Sequence, residues 1–192
     1  MDESGIMEWF SGIHGTPLDV LFEGVSYSAT AGIVWLALGV LIIWRGRRAD
    51  GAAMMLSVIL ALLICDLVLK PLVDRDRPFD ELSLDVLVSV TSTSSFPSGH
   101  SASAFAGAVS VLMIDRRWGI VALAYAALVA LSRAYVCVHW PTDVLAGALL
   151  GAAVAAVTFY LVRRYAAGTG SPEPRKGIKN KGKGPGGPCF DQ

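Results

Sequence analysis

The chain has 192 residues, 54% of them hydrophobic and 17% charged, with a mean hydropathy of +0.55. Soluble domains carry about 45–50% apolar and about 25% charged residues, so this composition excludes a disordered or nucleic-acid-binding chain and points to a membrane protein. Basic and acidic residues balance at 16 each, and net charge gives no argument for a polyanionic partner.

Residues 1–24 lack Lys and Arg and hold five acids, Asp2, Glu3, Glu8, Asp19 and Glu23, which is unlike a cleavable signal peptide. With Ile6, Trp9, Phe10, Ile13, Leu18, Leu21 and Phe22 set among those acids and glycines, the segment reads as one or two interfacial helices. Crossing a hydrocarbon core of about 30 Å takes about 20 mostly apolar residues. Five stretches are candidates: 25–44, 51–69, 99–114, 118–136 and 141–162. The third is short and is expected to start earlier or to pack inside the bundle. Gly147 and Gly151, with the alanines after them, predict close helix packing in the fifth. From residue 166 the chain turns rich in Gly, Pro and Lys, a composition that builds no core and suits contact with anionic headgroups. The expectation is therefore an all-α integral membrane bundle of five transmembrane helices plus an N-terminal interfacial helix. It divides into an interfacial segment (1–24), a membrane domain (25–165) and a disordered basic tail (166–192).

Twelve of the 16 basic residues fall between spans one and two, between spans three and four, or after span five. The positive-inside rule assigns that side, with the C-terminus, to the cytoplasm and the N-terminus to the outside. Cys65, Cys137 and Cys189 lie far apart without paired spacing, which argues against a zinc site or disulfide framework; they read as free thiols packed as small apolar groups.

Three ionised side chains interrupt the spans, Asp66, Arg133 and Asp143, all near one helix-end layer. Intramembrane charges are costly and mark functional candidates. Three polar segments meet at that layer on the outer face. In the first, Pro71 is expected to end span two and leave Lys70 at the interface, followed by Arg75, Arg77 and Pro78; Lys70 by itself also reads as a snorkelling lysine. In the second, Pro97, Ser98, Gly99 and His100 open span three behind a hydroxyl-rich run, 91–95. A helix start there is an anion site or, equally, a plain Ser98 cap. In the third, Arg133 precedes His139 and Asp143. If a helix begins at His139, those two share a face, and the carboxylate can accept from one ring nitrogen while the other stays free. Asp66, four residues before Lys70, is expected to pair with it. Arg75 reads as a solvated loop charge or, alternatively, an aid to a diphosphate, and Trp140 as an interfacial anchor or, alternatively, a substrate platform.

A phosphoryl group in a trigonal transition state needs cations and N–H donors around its equatorial oxygens, a nucleophile on one side and a proton donor on the other. The three segments together supply such a set. The series Lys70-x6-Arg77-Pro78, Pro97-Ser98-Gly99-His100, and Ser132-Arg133-x5-His139-x3-Asp143 resembles the tripartite signature of the type 2 phosphatidic acid phosphatase superfamily, whose soluble relatives include vanadium haloperoxidases. The resemblance spans residues 70–143 and is complete at the signature positions, although many membrane relatives have six spans. It implies a metal-independent, cofactor-free lipid phosphatase similar to the small bacterial members that recycle undecaprenyl diphosphate, with phosphatidylglycerol phosphate or phosphatidic acid as the alternative substrate. His139 would attack phosphorus to give a phosphohistidine and Asp143 would orient it. His100 would protonate the leaving oxygen and then activate water. Lys70, Arg77 and Arg133, with Ser98 and the Gly99 amide, would hold the phosphoryl oxygens. The rival readings are a noncatalytic lipid-phosphate binder or transporter, which needs the cations but no paired histidine and carboxylate, and a phosphotransferase passing the group to another lipid. The sequence is silent on oligomeric state.

Overall fold

A computed structural model describes residues 2–90 and 94–169, with side chains through residue 165. Among these residues the chain is all helical. Its elements are α1 (Glu3–Ser11), α2 (Pro17–Ser28), a short 3-10 turn (Thr30–Gly32), α3 (Ile33–Trp44), α4 (Arg48–Leu63), a π-helical stretch (Ile64–Leu69), α5 (Lys70–Val73), α6 (Pro78–Leu82), α7 (Gly99–Ile114), α8 (Arg116–Tyr135) and α9 (Pro141–Thr169). The expected tail, 166–192, lies outside the described side chains, as do residues 91–93 of the hydroxyl-rich run and Cys189.

α7 is the hub, packed against α4, α8 and α9. Its inner surface is built from Ala102, Ala104, Ala106 and Ala108, all fully buried, so neighbouring backbones come close. A Cβ placed on Gly151 would lie 2.0 Å from the Ala102 carbonyl oxygen, and one on Gly147 2.3 Å from that of Ser98. The small-residue seam expected in span five thus locks α9 onto α7. The outward faces are apolar: Leu145, Leu149, Val157 and Leu161 of α9 are all exposed. A soluble bundle would turn such a stripe inward, whereas lipid accepts it.

Among the described residues three helical stretches are long and apolar enough to cross a membrane, Arg48–Leu82, Arg116–Tyr135 and Pro141–Tyr165. A fourth is added if Pro17–Ser28 and Thr30–Trp44, bent by 42° at the break between them, form one span. α7 matches its expected limits, but at 16 residues it is shorter than a full crossing. Ringed by other helices, it does not meet lipid along its whole length. By length and composition the described residues thus give three spans, or four with the bent pair, and α7 is a shorter apolar helix beside them.

The N-terminal region departs furthest from expectation. α2 runs through the expected boundary at residue 24, and the break falls instead at 29–32, where Ala31 (φ 50°) and Gly32 (φ 67°) are left-handed. A Cβ on Gly32 would sit 2.7 Å from Val58 Cγ1, so glycine is required there for both conformation and space. α1 lies on the α8–α9 turn, with Met7 fully buried against Ala134 and Trp140, and so is part of the protein rather than a segment floating on lipid. Pro71 does not end span two: helix continues to Val73. The wider turns of the preceding π-helical stretch restart the ladder, so Pro71 falls at a helix start, where its missing N–H costs little.

Candidate active site

The C-terminal end of the α4 unit, the start of α7, the end of α8 and the α8–α9 turn enclose a cavity of about 280 Å³. Lys70, Arg77, Gly99, His100, Arg133 and His139 line it, together with Asp66 and the break at Thr30 and Ala31. Two imidazoles, three cations and a helix start, drawn from positions 70 to 139, open onto one space. A larger cavity of about 480 Å³ lies at the other end of the bundle between Trp35, Ile42, Val111 and Trp118, and contains no histidine.

Each group is held by the local chain. Lys70 leaves the π-helical stretch at the cavity rim and donates to Asp66 Oδ1 at 2.6 Å, the expected ion pair. Arg77 is buried; its guanidinium donates to the carbonyls of Val138 (2.7 Å) and Ser94 (3.1 Å), which ties the first polar segment to the third. Arg133 is buried and donates through Nη1 to Ser26 Oγ of α2, while its Nε lies buried with no hydrogen-bond partner among the described residues. An unpaired guanidinium N–H in such a place is a group waiting for an acceptor.

His139 is buried, and its Nδ1 lies 2.7 Å from the Ser95 carbonyl oxygen. A carbonyl only accepts, so Nδ1 carries the proton and Nε2 keeps its lone pair. Burial, reinforced by the Arg133 and Arg77 charges, pushes the pKa of His139 well below the usual imidazole value, and the ring is neutral at pH 7.

This geometry corrects one expectation. The helix starts at Pro141 rather than His139, and Asp143 Oδ2 is 3.9 Å from His139 Nδ1. That oxygen instead accepts the Trp140 backbone N–H at 2.9 Å. The ring is therefore aimed by Ser95, with Asp143 as a buried charge behind it. Neither Ser98 nor Asp143 lines the cavity. Ser98 is fully buried, its N–H donates to the Asp143 carbonyl at 3.0 Å, and its Oγ accepts from Ser101 N at 3.4 Å. It acts as the helix cap, the plainer of its two readings.

Arg75 and Trp140 also differ from expectation. Arg75 is not a solvated loop charge but bridges Asp143 and Glu3, each at 2.8 Å, above the Trp140 ring. Trp140 is 3% exposed, with its indole N–H donating to the Asp76 carbonyl at 3.0 Å, so it is a packed strut rather than a lipid anchor. Cys65 and Cys137 are free and buried, as expected. Among the described residues no cluster of His, Cys, Asp and Glu has the makings of a metal site. Sequence reasoning missed Ser95, Ser26 and Glu3. Ser95 alone carried a signal, its place in the hydroxyl run; Ser26 and Glu3 reach the site only through the packing of α1 and α2.

An all-helical membrane bundle with an imidazole pair and a cation cradle facing one cavity defines a class of phosphoryl-handling membrane protein. The match of residues 50–166 to the PAP2 superfamily model places the chain in that family, and it belongs to the PAP2 superfamily. It is 36% identical over 121 residues to an undecaprenyl-diphosphatase of Sulfolobus acidocaldarius, a match covering 62% of this chain and 58% of that protein, so little more than half of the relative's length. It is also 36% identical over 142 residues to a decaprenylphosphoryl-5-phosphoribose phosphatase of Mycobacterium tuberculosis, covering 70% of this chain and 75% of the relative. Among solved structures it resembles the transmembrane PAP2-type phosphatidylglycerolphosphate phosphatase of Bacillus subtilis, with a TM-score of 0.69 and 25% identity over 89% of this chain and 87% of that one. The apolar helices and the transmembrane neighbour together make this an integral membrane protein.

Proposed function

We propose that the protein is a metal-independent phosphatase of a polyprenyl lipid, with undecaprenyl diphosphate as the preferred substrate, acting through a phosphohistidine on His139. The observation that carries this reading is the shared cavity: His100 and His139 open onto the same space as Lys70, Arg77 and Arg133. The names of the Sulfolobus and Mycobacterium relatives, both polyprenyl lipid phosphatases, support the lipid class.

The chemistry follows from the positions. The three cations, the unpaired Arg133 Nε–H and the Gly99 amide take the phosphoryl oxygens, leaving phosphorus between the rings. The Nε2 lone pair of neutral His139 forms the N–P bond as the P–O bond to the lipid breaks. The leaving oxygen takes its proton from His100, which becomes protonated as the phosphoryl anion binds beside it. His100, now neutral, removes a proton from water as the oxygen attacks phosphorus; the N–P bond breaks and its electron pair returns to Nε2. Phosphate is released and both rings regain their starting states. Asp143, close behind the imidazole, supports the positive charge His139 carries while phosphorylated.

In the membrane, the bent α2–α3 pair, α4, α7, α8 and α9 form the bundle of five crossings. The N-terminus and site face outside, and the arginine-bearing turns and C-terminus face the cytoplasm. Phosphatidylglycerol phosphate is the alternative substrate, favoured by the fold shared with the Bacillus enzyme. The test is phosphate release from undecaprenyl diphosphate, phosphatidylglycerol phosphate and phosphatidic acid by the purified chain in detergent with EDTA, beside His139→Ala. Release by wild type alone is the expected result. Strict Mg²⁺ dependence, or a fully active His139→Ala, overturns the mechanism; binding without release makes the protein a carrier.

A further inference from the structure

The Glu3–Arg75 pair takes no part in the proposed bond changes, yet it ends on a residue that supports them. Arg75 Nη1 donates to Asp143 Oδ1 at 2.8 Å and to Thr142 Oγ1 at 2.7 Å, and Nη2 donates to Glu3 Oε2 at 2.8 Å. Its guanidinium carbon stands 5.0 Å from the centre of the Trp140 ring. The other oxygen of Glu3 accepts the Thr142 backbone N–H at 2.9 Å and its hydroxyl at 2.8 Å, so α1 caps the first turn of α9. Burial works against the Glu3 carboxylate, but the hydrogen bonds from Arg75 and Thr142 prevail and hold its pKa below the usual range.

Asp143 is fully buried. A buried carboxylate keeps its charge and place only where a cation and donors satisfy it, and Arg75 and the Trp140 amide do so here. Arg75 is remote from the phosphoryl oxygens: it does not line the cavity, and its donors are turned to Glu3, Thr142 and Asp143. From these contacts we infer that Arg75, anchored by Glu3 of α1, is a positioning residue for phosphoryl transfer, holding the Asp143 charge behind His139 so that the imidazole can take up and carry the positive charge of the phosphorylated state. The N-terminal helix is thereby a working part of the site. The inference rests on the reading of His139 as nucleophile.

The experiment is steady-state phosphate release from the same three lipids by the full-length chain. Arg75→Ala should lower kcat about 10- to 100-fold, the usual cost of removing a supporting partner, while KM stays within about twofold because no phosphate contact is lost. Arg75→Lys, which returns a cation, should recover part of that loss. In an Asp143→Asn background, Arg75→Ala should cost less than about threefold more, since the amide has no charge to hold. Should Arg75→Ala fail to fold, Glu3→Gln serves instead, with a kcat roughly 3- to 10-fold lower at unchanged KM. A raised KM at full kcat would make Arg75 a phosphate ligand and overturn the inference, as would losses that multiply in the double variant or a Glu3→Gln enzyme at full kcat. An active wild type with fully active Arg75→Ala defeats this inference alone; a wild type inert on every lipid defeats the phosphatase reading beneath it.

Discussion

α7 and α9 both begin beside the cavity, and their first turns are finished in different ways. At α9 the Trp140 N–H goes to Asp143 and the Thr142 N–H to Glu3, each at 2.9 Å. At α7 the side-chain cap is a single hydroxyl: Ser98 accepts from Ser101 N at 3.4 Å, while Gly99 and His100 line the cavity. A helix start closed by carboxylates has neither donors nor positive potential left for an anion, whereas one capped only by a neutral hydroxyl keeps both. Asp143 of α9 and Glu3 of α1 thus close the start of α9, whereas the start of α7 faces the cavity and, in the proposed reading, takes the phosphate. Sequence spacing shows two helix starts, but only their caps tell the two roles apart.

The largest break of this contrast is His139→Ala, which should lower phosphate release by about 10³-fold or more while the helical fold persists, as for loss of a covalent nucleophile. Next is a pair of glycine variants. A Cβ on Gly147 would lie 2.3 Å from the Ser98 carbonyl, which belongs to the cap of α7, so Gly147→Ala should cost about 1–3 kcal/mol through overpacking and also reduce turnover. At Gly99 a Cβ meets nothing closer than Leu62 Cδ2 at 3.8 Å and Asp66 Oδ1 at 3.9 Å. The fold therefore tolerates alanine there, and Gly99→Ala should keep its melting temperature while losing roughly tenfold in kcat/KM as the methyl keeps the oxyanion from the amide. Equal loss of stability in both variants would erase the distinction between packing glycine and cradle glycine.

A smaller effect concerns pH. The folded site holds His139 neutral, with its pKa well below the ordinary imidazole value of about 6.5. The unfolded chain therefore takes up a proton below about pH 6.5 that the folded site refuses, so stability falls as pH drops from about 7 toward 5 and is flat in this respect above 7. Thermal unfolding in detergent should show a shallower acid slope for His139→Ala than for wild type. The smallest effect is at the cap: with a bond as long as 3.4 Å, Ser98→Ala should sit at the low end of the usual range, about 0.5 kcal/mol.

The membrane class, the helix limits of 99–114 and the cations, histidines and Gly99 that face the cavity were legible from sequence, because apolar run length and fixed spacing are properties of the chain itself. Lys70, Arg77, Gly99, His100, Arg133 and His139 all reach the cavity. The partners of His139 were not legible. Four-residue spacing suggested Asp143, but the helix starts two residues later than His139, and the ring turned to Ser95, 44 positions away. The N-terminal segment misled for a similar reason. Its amphipathic pattern suits lipid or protein equally, and the apolar faces of α1 and α2 found α8.

By itself, then, the sequence determined that the chain enters a membrane and that its imidazoles and cations gather at one level, since hydropathy and spacing act locally along the backbone. Tertiary structure alone decided which hydrogen bond aims His139, that Ser98 caps rather than contacts the cavity, and that Glu3 reaches Asp143 through Arg75. Those contacts join residues far apart in the chain, and only the closure of α1, α7, α8 and α9 on one another brings them within bonding distance.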